Sequence, residues 1–225
     1  YGKRFKVKRT RNIKPLTLNL EPYILYSDAC IQITIMITLL DYGAGNVLSV
    51  INAIESLGEK VRIVSSPDDI AGAEKLVFPG VGAFGAMMDI LDRKRYVWPL
   101  RQYLDSGRPF LGICLGLQAL FEGSEEAAGV AGLGVFKGGV KRFDIDLSVP
   151  HIGWNGVVMK QPSYMFNEIP ENEKFYFVHS YHVVPEDDDM ILTVTDYGYS
   201  VVSGIQKNKI VATQFHPEKS GRAGL

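Results

Sequence analysis

Cysteine is scarce in this 225-residue chain, which has only Cys30 and Cys114. Two thiols in that length do not make a disulfide framework. A reducing compartment fits better, and it leaves Cys114 free to act as a thiolate. Charge imbalance is also missing: 24 Lys and Arg face 25 Asp and Glu, for a formal net charge of −1. That balance argues against a nucleic-acid binder and against an acidic disordered chain. The longest apolar run, around Ile33 to Leu40, is too short to span a bilayer. With 46% hydrophobic residues, the chain can form one large domain or two small ones around a substantial core.

The charge is unevenly spread. Lys3, Arg4, Lys6, Lys8, Arg9, Arg11 and Lys14 crowd the start, and no acid precedes Glu21. Such a segment reads as an organelle-targeting leader, a solvated or nucleic-acid-binding arm, or sequence foreign to the functional protein. The chain begins at Tyr1, and Met36 stands directly before the first ordered pattern, ITLLDYGAGN, as a candidate initiator. Residues 1–35 are therefore set apart as a basic leader, and residues 36–225 are read as one domain.

From Ile33 onward, apolar runs alternate with helical patterns. Strands are expected at 33–40, 60–64, 74–80 and 108–113, and helices at 45–58, 84–96, 98–107 and 115–123. This alternation predicts an α/β fold, a mostly parallel open sheet with helices on both faces. After residue 130 the pattern changes to successive strands: 132–143, 151–160, 174–184, 191–197, 200–206 and 209–215. An antiparallel extension of the sheet is the simplest arrangement. EDDD (186–189) reads as a solvated turn, since no histidine or further carboxylate stands at metal-ligand spacing. DYGAGN follows the first strand, yet Leu48 occupies the third glycine position of a dinucleotide fingerprint, so NAD binding is rejected.

Three constellations carry chemistry. Gly112, Cys114 and Gly116 form G-x-C-x-G between a strand and a helix, the thiol counterpart of a nucleophile elbow. So sharp a turn needs small neighbours, and it exposes the sulfur at the carboxyl end of the sheet beside a helix N-terminus that favours thiolate. The alternative is a buried packing cysteine, which leaves the two glycines unexplained. Downstream, Pro217 biases His216 toward extended backbone, so that His216 and Glu218 face the same way. Such a pair is either solvated on a loop or an imidazole oriented by a carboxylate. The third stretch, FPGVGAFG (78–85), is either an ordinary glycine-rich turn or, with the N–H of Leu115, an oxyanion hole.

GICLGLQ, HPE and PGVG together resemble the class I (triad) glutamine amidotransferase family. Within it, MITLLDYGAGN, VFPGVGAFG, PHIGWN, FYFVHSY and QFHPEKSG are similar to the glutaminases of imidazole glycerol phosphate synthases, and most similar to the plant kind. There the glutaminase and a cyclase barrel share one chain. The resemblance covers about Met36 to Leu225.

It implies a flavodoxin-like glutaminase fold and hydrolysis of L-glutamine to glutamate and ammonia through a cysteine thioester, in histidine biosynthesis. Cys114 would be the nucleophile, His216 the proton shuttle and Glu218 its partner. Val81, Gly82 and Leu115 would supply oxyanion donors, and Gly80, Gln118, Ser180 and Tyr181 would hold substrate. His151, Trp154, Asn155 and Tyr176 would meet a (β/α)8 cyclase, either a subunit or a downstream domain. That cyclase would use the ammonia on a phosphoribulosyl formimino intermediate to give imidazole glycerol phosphate. His179 and His182 would be structural. No metal, organic cofactor, nucleic acid or membrane is implied, and the location would be plastid or cytoplasm. The family continues past HPEKSG into a final helix, which is expected here to be cut off. The alternatives are a glutaminase of the same class serving nucleotide, anthranilate or pyridoxal synthesis, and an elbow-cysteine hydrolase or inactive scaffold.

Overall fold

The computed structural model describes residues 36–43, 47–171 and 173–225. The basic leader over 1–35, with its targeting reading, lies outside the described residues, as do Ala44, Gly45 and Asn46 of DYGAGN.

The first half alternates as its periodicity predicts. In chain order it runs β1 (Ile37–Leu39), α1 (Val47–Ser56), β2 (Val61–Ile63), α2 (Pro67–Ala71), β3 (Lys75–Gly80), α3 (Phe84–Arg93), α4 (Val97–Asp105), β4 (Phe110–Cys114) and α5 (Leu115–Gln118). The second half is strand-rich: β5 (Gly138–Arg142), β6 (His151–Gly156), β7 (Val158–Met159), β8 (Lys174–His179), β9 (Tyr181–Pro185), β10 (Ile191–Asp196), β11 (Ser200–Lys207) and β12 (Ile210–Thr213).

An eight-stranded sheet has the order β2-β1-β3-β4-β12-β11-β10-β7. Pairing is parallel from β2 to β12 and antiparallel from β12 to β7. Alternate residues of the central strands face opposite layers. Leu76 and Phe78 pack with Leu100, Tyr103 and Met87 on one side, while Val77 and Ile113 pack with Val50 of α1 on the other.

This order decides where the site forms. Strand β4 is flanked in register by β3, with Gly80 beside Cys114, and by β12, with Thr213 beside Ile113. Because all three strands run parallel, their carboxyl ends deliver PGVG, the elbow and QFHPE to one edge.

Three expectations need correction. The helix expected over 115–123 stops at Gln118. The carbonyls of Ala119, Leu120, Phe121 and Glu122 instead accept from the amides of Leu133, Val135 and Phe136, Gly134, and Gly132. The same bonds take residues 132–136 out of the expected strand, which begins only at Gly138. The runs 151–160 and 174–184 each break in two, and not all the pieces extend the main sheet. β6 pairs with β8 and β5 with β9 as separate two-stranded sheets. The second break falls at Ser180, whose carbonyl accepts from Phe143 N at 3.1 Å, and it turns residues 180 and 181 toward the elbow.

Candidate active site

Cys114 adopts φ 55° and ψ −107° at the junction of β4 and α5. A non-glycine residue held there is strained, and surrounding contacts must enforce it. The glycines show how. A Cβ on Gly116 would collide with the Phe78 carbonyl, and one on Gly112 would lie 3.0 Å from both Ala212 Cβ and the Gly116 carbonyl. The elbow is wedged between β3 and β12: only glycine fits at 116, and at 112 a side chain would be tightly crowded.

The sulfur does not project into solvent as expected from the elbow alone. Cys114 is 7% exposed and lies in the wall of a cavity of about 280 Å³, lined also by Val81, Gly82, Leu115, Gln118, Glu126, Pro150, Val178, His179, Ser180, Tyr181 and His216. The depth comes from the walls that other segments raise around the elbow: Glu126, Pro150, residues 178–181 and His216. The cavity unites most of the residues expected to be catalytic or substrate-binding. Gly80 packs directly behind it, where an added Cβ would lie 2.7 Å from Leu115 Cβ. A separate, mostly apolar groove of about 240 Å³ by Phe175, Phe215 and Leu225 contains neither Cys114 nor His216.

His216 follows β12 in extended conformation, φ −99° and ψ 96°, as Pro217 dictates. Its backbone is fixed from both sides: its N–H donates to Tyr176 O at 2.9 Å, and its carbonyl accepts from Ser220 Oγ at 2.6 Å. Its Nδ1 lies 2.8 Å from Glu218 Oε1, and both side chains are almost wholly buried. A carboxylate accepts only, so Nδ1 carries the proton and Nε2 is left on the pocket side. Burial pulls the imidazole pKa down, but the Cys114 sulfur and the Glu218 carboxylate outweigh it and lift the value to about 9. Nε2 is buried with no other hydrogen-bond partner among the described residues, which leaves it to the Cys114 sulfur. A thiol beside an imidazole anchored in this way is the arrangement of an activated nucleophile.

The donors of the expected oxyanion hole stand in unequal states. Gly82 holds φ +96°, and Leu115 opens α5 directly after the nucleophile. The Val81 N–H, in contrast, donates to Tyr42 Oη at 3.0 Å, so it is turned toward a tyrosine.

Sequence reasoning missed two groups. Glu126, in the 3-10 turn Glu125–Ala127, brings a carboxylate to the pocket wall, with Oε2 accepting from Phe84 N at 2.8 Å. No local pattern marked it. Gln214 stands within QFHPE and is completely buried, with Nε2 3.6 Å from Cys114 Sγ. Its signal was its place in the QFHPE motif, two residues before the histidine.

The residues expected to meet a partner divide. Trp154 is 54% exposed and meets half-buried Tyr176 edge-on, with centroids 6.2 Å apart. These are not core aromatics. Asn155 is partly buried and donates to Asp196 O at 2.9 Å. His151 corrects the expectation, because at 3% exposure it cannot present a contact surface. It stacks between Phe177 and Tyr197 and pairs through Nδ1 with His179 Nε2 at 3.1 Å. Burial lowers the His151 pKa to about 4 and that of His179 to about 3. His182 is likewise buried, bonded to Tyr199 Oη at 2.7 Å. Among the described residues, no cluster of three His, Cys, Asp or Glu is placed to hold a metal ion, and no helix is long and apolar enough to cross a membrane.

An open α/β sheet with a buried elbow thiol and a carboxylate-held histidine at one strand edge defines a class of enzymes that work through an activated thiol nucleophile. Known proteins narrow it. Residues 38–224 match the model of the family described as "Glutamine amidotransferase class-I". The chain is 45% identical over 197 residues to imidazole glycerol phosphate synthase subunit HisH of Syntrophotalea carbinolica, covering 84% of this chain and 96% of that protein. It is 49% identical over 194 residues to the chloroplastic imidazole glycerol phosphate synthase hisHF of Arabidopsis thaliana, covering 84% of this chain. It spans only about a third (33%) of that longer relative. A crystal structure of a glutamine amidotransferase superposes with TM-score 0.67 at 17% identity, covering 84% of this chain and 93% of that one, which supports the fold. The chain belongs to the class I glutamine amidotransferase family and, within it, to the HisH glutaminases of imidazole glycerol phosphate synthase.

Proposed function

We propose that the chain hydrolyses L-glutamine through Cys114 and supplies ammonia to a (β/α)8 cyclase in histidine biosynthesis. The observation that carries this reading is the shared pocket of Cys114 and His216, with His216 fixed by Glu218 at 2.8 Å. The Cys114 thiolate adds to the side-chain amide carbon, and the carbonyl electrons move to oxygen. His216 gives its Nε2 proton to the nitrogen as the C–N bond breaks, releasing ammonia and leaving a thioester. Water then loses a proton to His216, attacks the thioester and releases glutamate and the thiolate.

Recognition follows from the wall of the pocket. The Glu126 carboxylate complements the α-ammonium of glutamine, Gln118 and the backbone of Ser180 and Tyr181 hold its amino-acid end, and Gly80 lets the chain approach closely. The oxyanion is assigned to the N–H groups of Leu115, Gly82 and Val81, the last after it leaves Tyr42. The exposed face of β6 and β8, with Trp154, Tyr176 and Asn155 at its edge, is assigned to the cyclase. His151 lies beneath that face. The plastid is the proposed location, supported by the chloroplastic relative.

Ammonia release from glutamine, measured with the cyclase present, tests the reading. Cys114→Ala should abolish it, and His216→Ala should lower it by roughly 10²–10⁴-fold, the range of a lost acid–base group. A Cys114→Ala variant with the wild-type rate would overturn the assignment.

A further inference from the structure

We infer that Gln214 is a positioning residue for the nucleophile: its side-chain amide donates to the Cys114 sulfur and, through its carbonyl, fixes which way Gln118 faces the substrate. The inference rests on Cys114 being the nucleophile, and it assigns a role to a residue outside the triad.

The orientation of every group follows outward from one atom. The backbone carbonyl of Tyr181 accepts hydrogen bonds and cannot donate, so the end of Gln118 that lies 3.1 Å from it is the NH₂. That same nitrogen lies 3.1 Å from the side chain of Gln214, which must therefore present its carbonyl oxygen. The Gln214 NH₂ is left facing Cys114 Sγ at 3.6 Å. No flip of either amide is free, because each would set two donors or two acceptors against one another in a buried site.

Two consequences follow. A thiolate is a pure acceptor, so a fixed amide donor favours the ionised sulfur and holds it in one rotamer. Gln118 has both its N–H groups engaged, so only its Oε1 remains for a ligand in the pocket that it lines. The ionised nucleophile and the orientation of the substrate-binding glutamine thus belong to one network. Gln214 is anchored for this work: its side chain is completely buried and its backbone N–H donates to Ser203 O at 2.8 Å.

Other ionisable groups face the sulfur and must stay constant in any test. Tyr42 approaches from the end of β1, His216 with Glu218 from the end of β12, Glu126 from its 3-10 turn and His179 from β8. α1 contributes apolar contact through Val50.

The test is the pH dependence of Cys114 alkylation by iodoacetamide in the full chain, with peptide mass spectrometry separating Cys114 from Cys30. Gln214→Glu is nearly isosteric, still accepts from Gln118, and sets a carboxylate oxygen against the sulfur. Its alkylation midpoint should rise by at least about one pH unit, with the rate at pH 7 falling about tenfold. Gln214→Met keeps the volume without donor or charge, and its midpoint should also rise. kcat for glutamine should fall in both variants, while KM should rise in Gln214→Met, where Gln118 loses its acceptor, and stay close to wild type in Gln214→Glu, which keeps it. Wild-type midpoints in both variants, with or without a lowered Tm, would overturn the role by showing Gln214 to be packing alone. Loss of ammonia release in Cys114→Ala is the separate check on the nucleophile.

Discussion

The Tyr42 hydroxyl clamps both backbone groups of a single residue: it donates to the Val81 carbonyl at 2.8 Å and accepts from the Val81 N–H at 3.0 Å. Burial, offset in part by the Val81 bond, pushes its pKa up to about 12. The phenol therefore stays protonated and the clamp persists through the neutral range. One of the three donors assigned to the oxyanion is held away from the reaction until the clamp opens.

Tyr42→Phe removes both bonds while keeping the ring, which packs edge-on against Phe78. Turning the Gly80–Val81 peptide breaks only the N–H bond, and a neutral hydrogen bond nets about 1 kcal/mol, so without the hydroxyl that turn becomes several-fold to about tenfold easier. Glutamine hydrolysis by the chain without cyclase should rise by that factor, measured as glutamate formed. An unchanged or lower rate would reduce the clamp to a packing feature.

The glycines of the site should separate sterics from backbone strain. A Cβ on Gly116 has no room against the Phe78 carbonyl, so Gly116→Ala forces β3 and the elbow apart and should cost more than about 3 kcal/mol or prevent folding. Gly82 has φ +96° but open space around its Cβ position. Gly82→Ala should cost only about 1–2 kcal/mol, a fall in Tm of roughly 2–8 °C at this chain length. Thermal melts of the two variants decide it, and equal losses would sink the distinction.

These contrasts bear on what the sequence could reveal. Gly112, Cys114 and Gly116 carried the elbow in full, because a strained turn between parallel strands demands small neighbours. HPE was equally legible, since Pro217 fixes the extended backbone that sets His216 against Glu218. The depth of the thiol was not legible. It depends on Glu126, Pro150, residues 178–181 and His216 coming together around the sulfur, segments that periodicity treats independently. Breaks at Val157 and Ser180 were hidden for the same reason, as apolar alternation continues across them while the pairing partners change. Helix α2 carries a local signal of its own: Ser66, Pro67 and Asp69 spell a capping box, and both of its bonds form. Glu126 reaches the pocket only through the tertiary fold, so a scan along the chain had nothing to find.

The buried histidines predict acid lability. His151 and His179 have folded pKa values near 4 and 3, lowered by burial from 6.5. Above pH 6.5 both states are neutral and stability is unaffected. As pH falls below 6.5 the unfolded chain gains protons that the folded chain refuses, so stability is lost progressively down toward pH 3–4. Each histidine should cost roughly 2 kcal/mol between pH 6.5 and 5. Urea unfolding at those two values measures it. His151→Asn, whatever its stability at pH 7, should lower the loss on acidification by about that amount, and a slope equal to wild type would refute the origin.

Trp154 tests the docking assignment without disturbing the fold. On β6, Ile152 and Trp154 share the outward face, 59% and 54% exposed, opposite Val178 and Tyr176 of β8. An exposed tryptophan with one edge contact contributes little to folding, so Trp154→Ala should change stability by no more than about 0.5 kcal/mol. Aromatic anchors at the centre of an interface often carry 2 kcal/mol or more of binding energy. Affinity for the cyclase, measured by calorimetry, should therefore fall roughly 30-fold or more. Tyr176 makes the face matter for catalysis: its carbonyl receives the His216 N–H and its own N–H is bonded to Ser220. A partner pressing on this strand therefore bears on the backbone that holds the base. Wild-type affinity in Trp154→Ala would move the docking surface elsewhere on the chain.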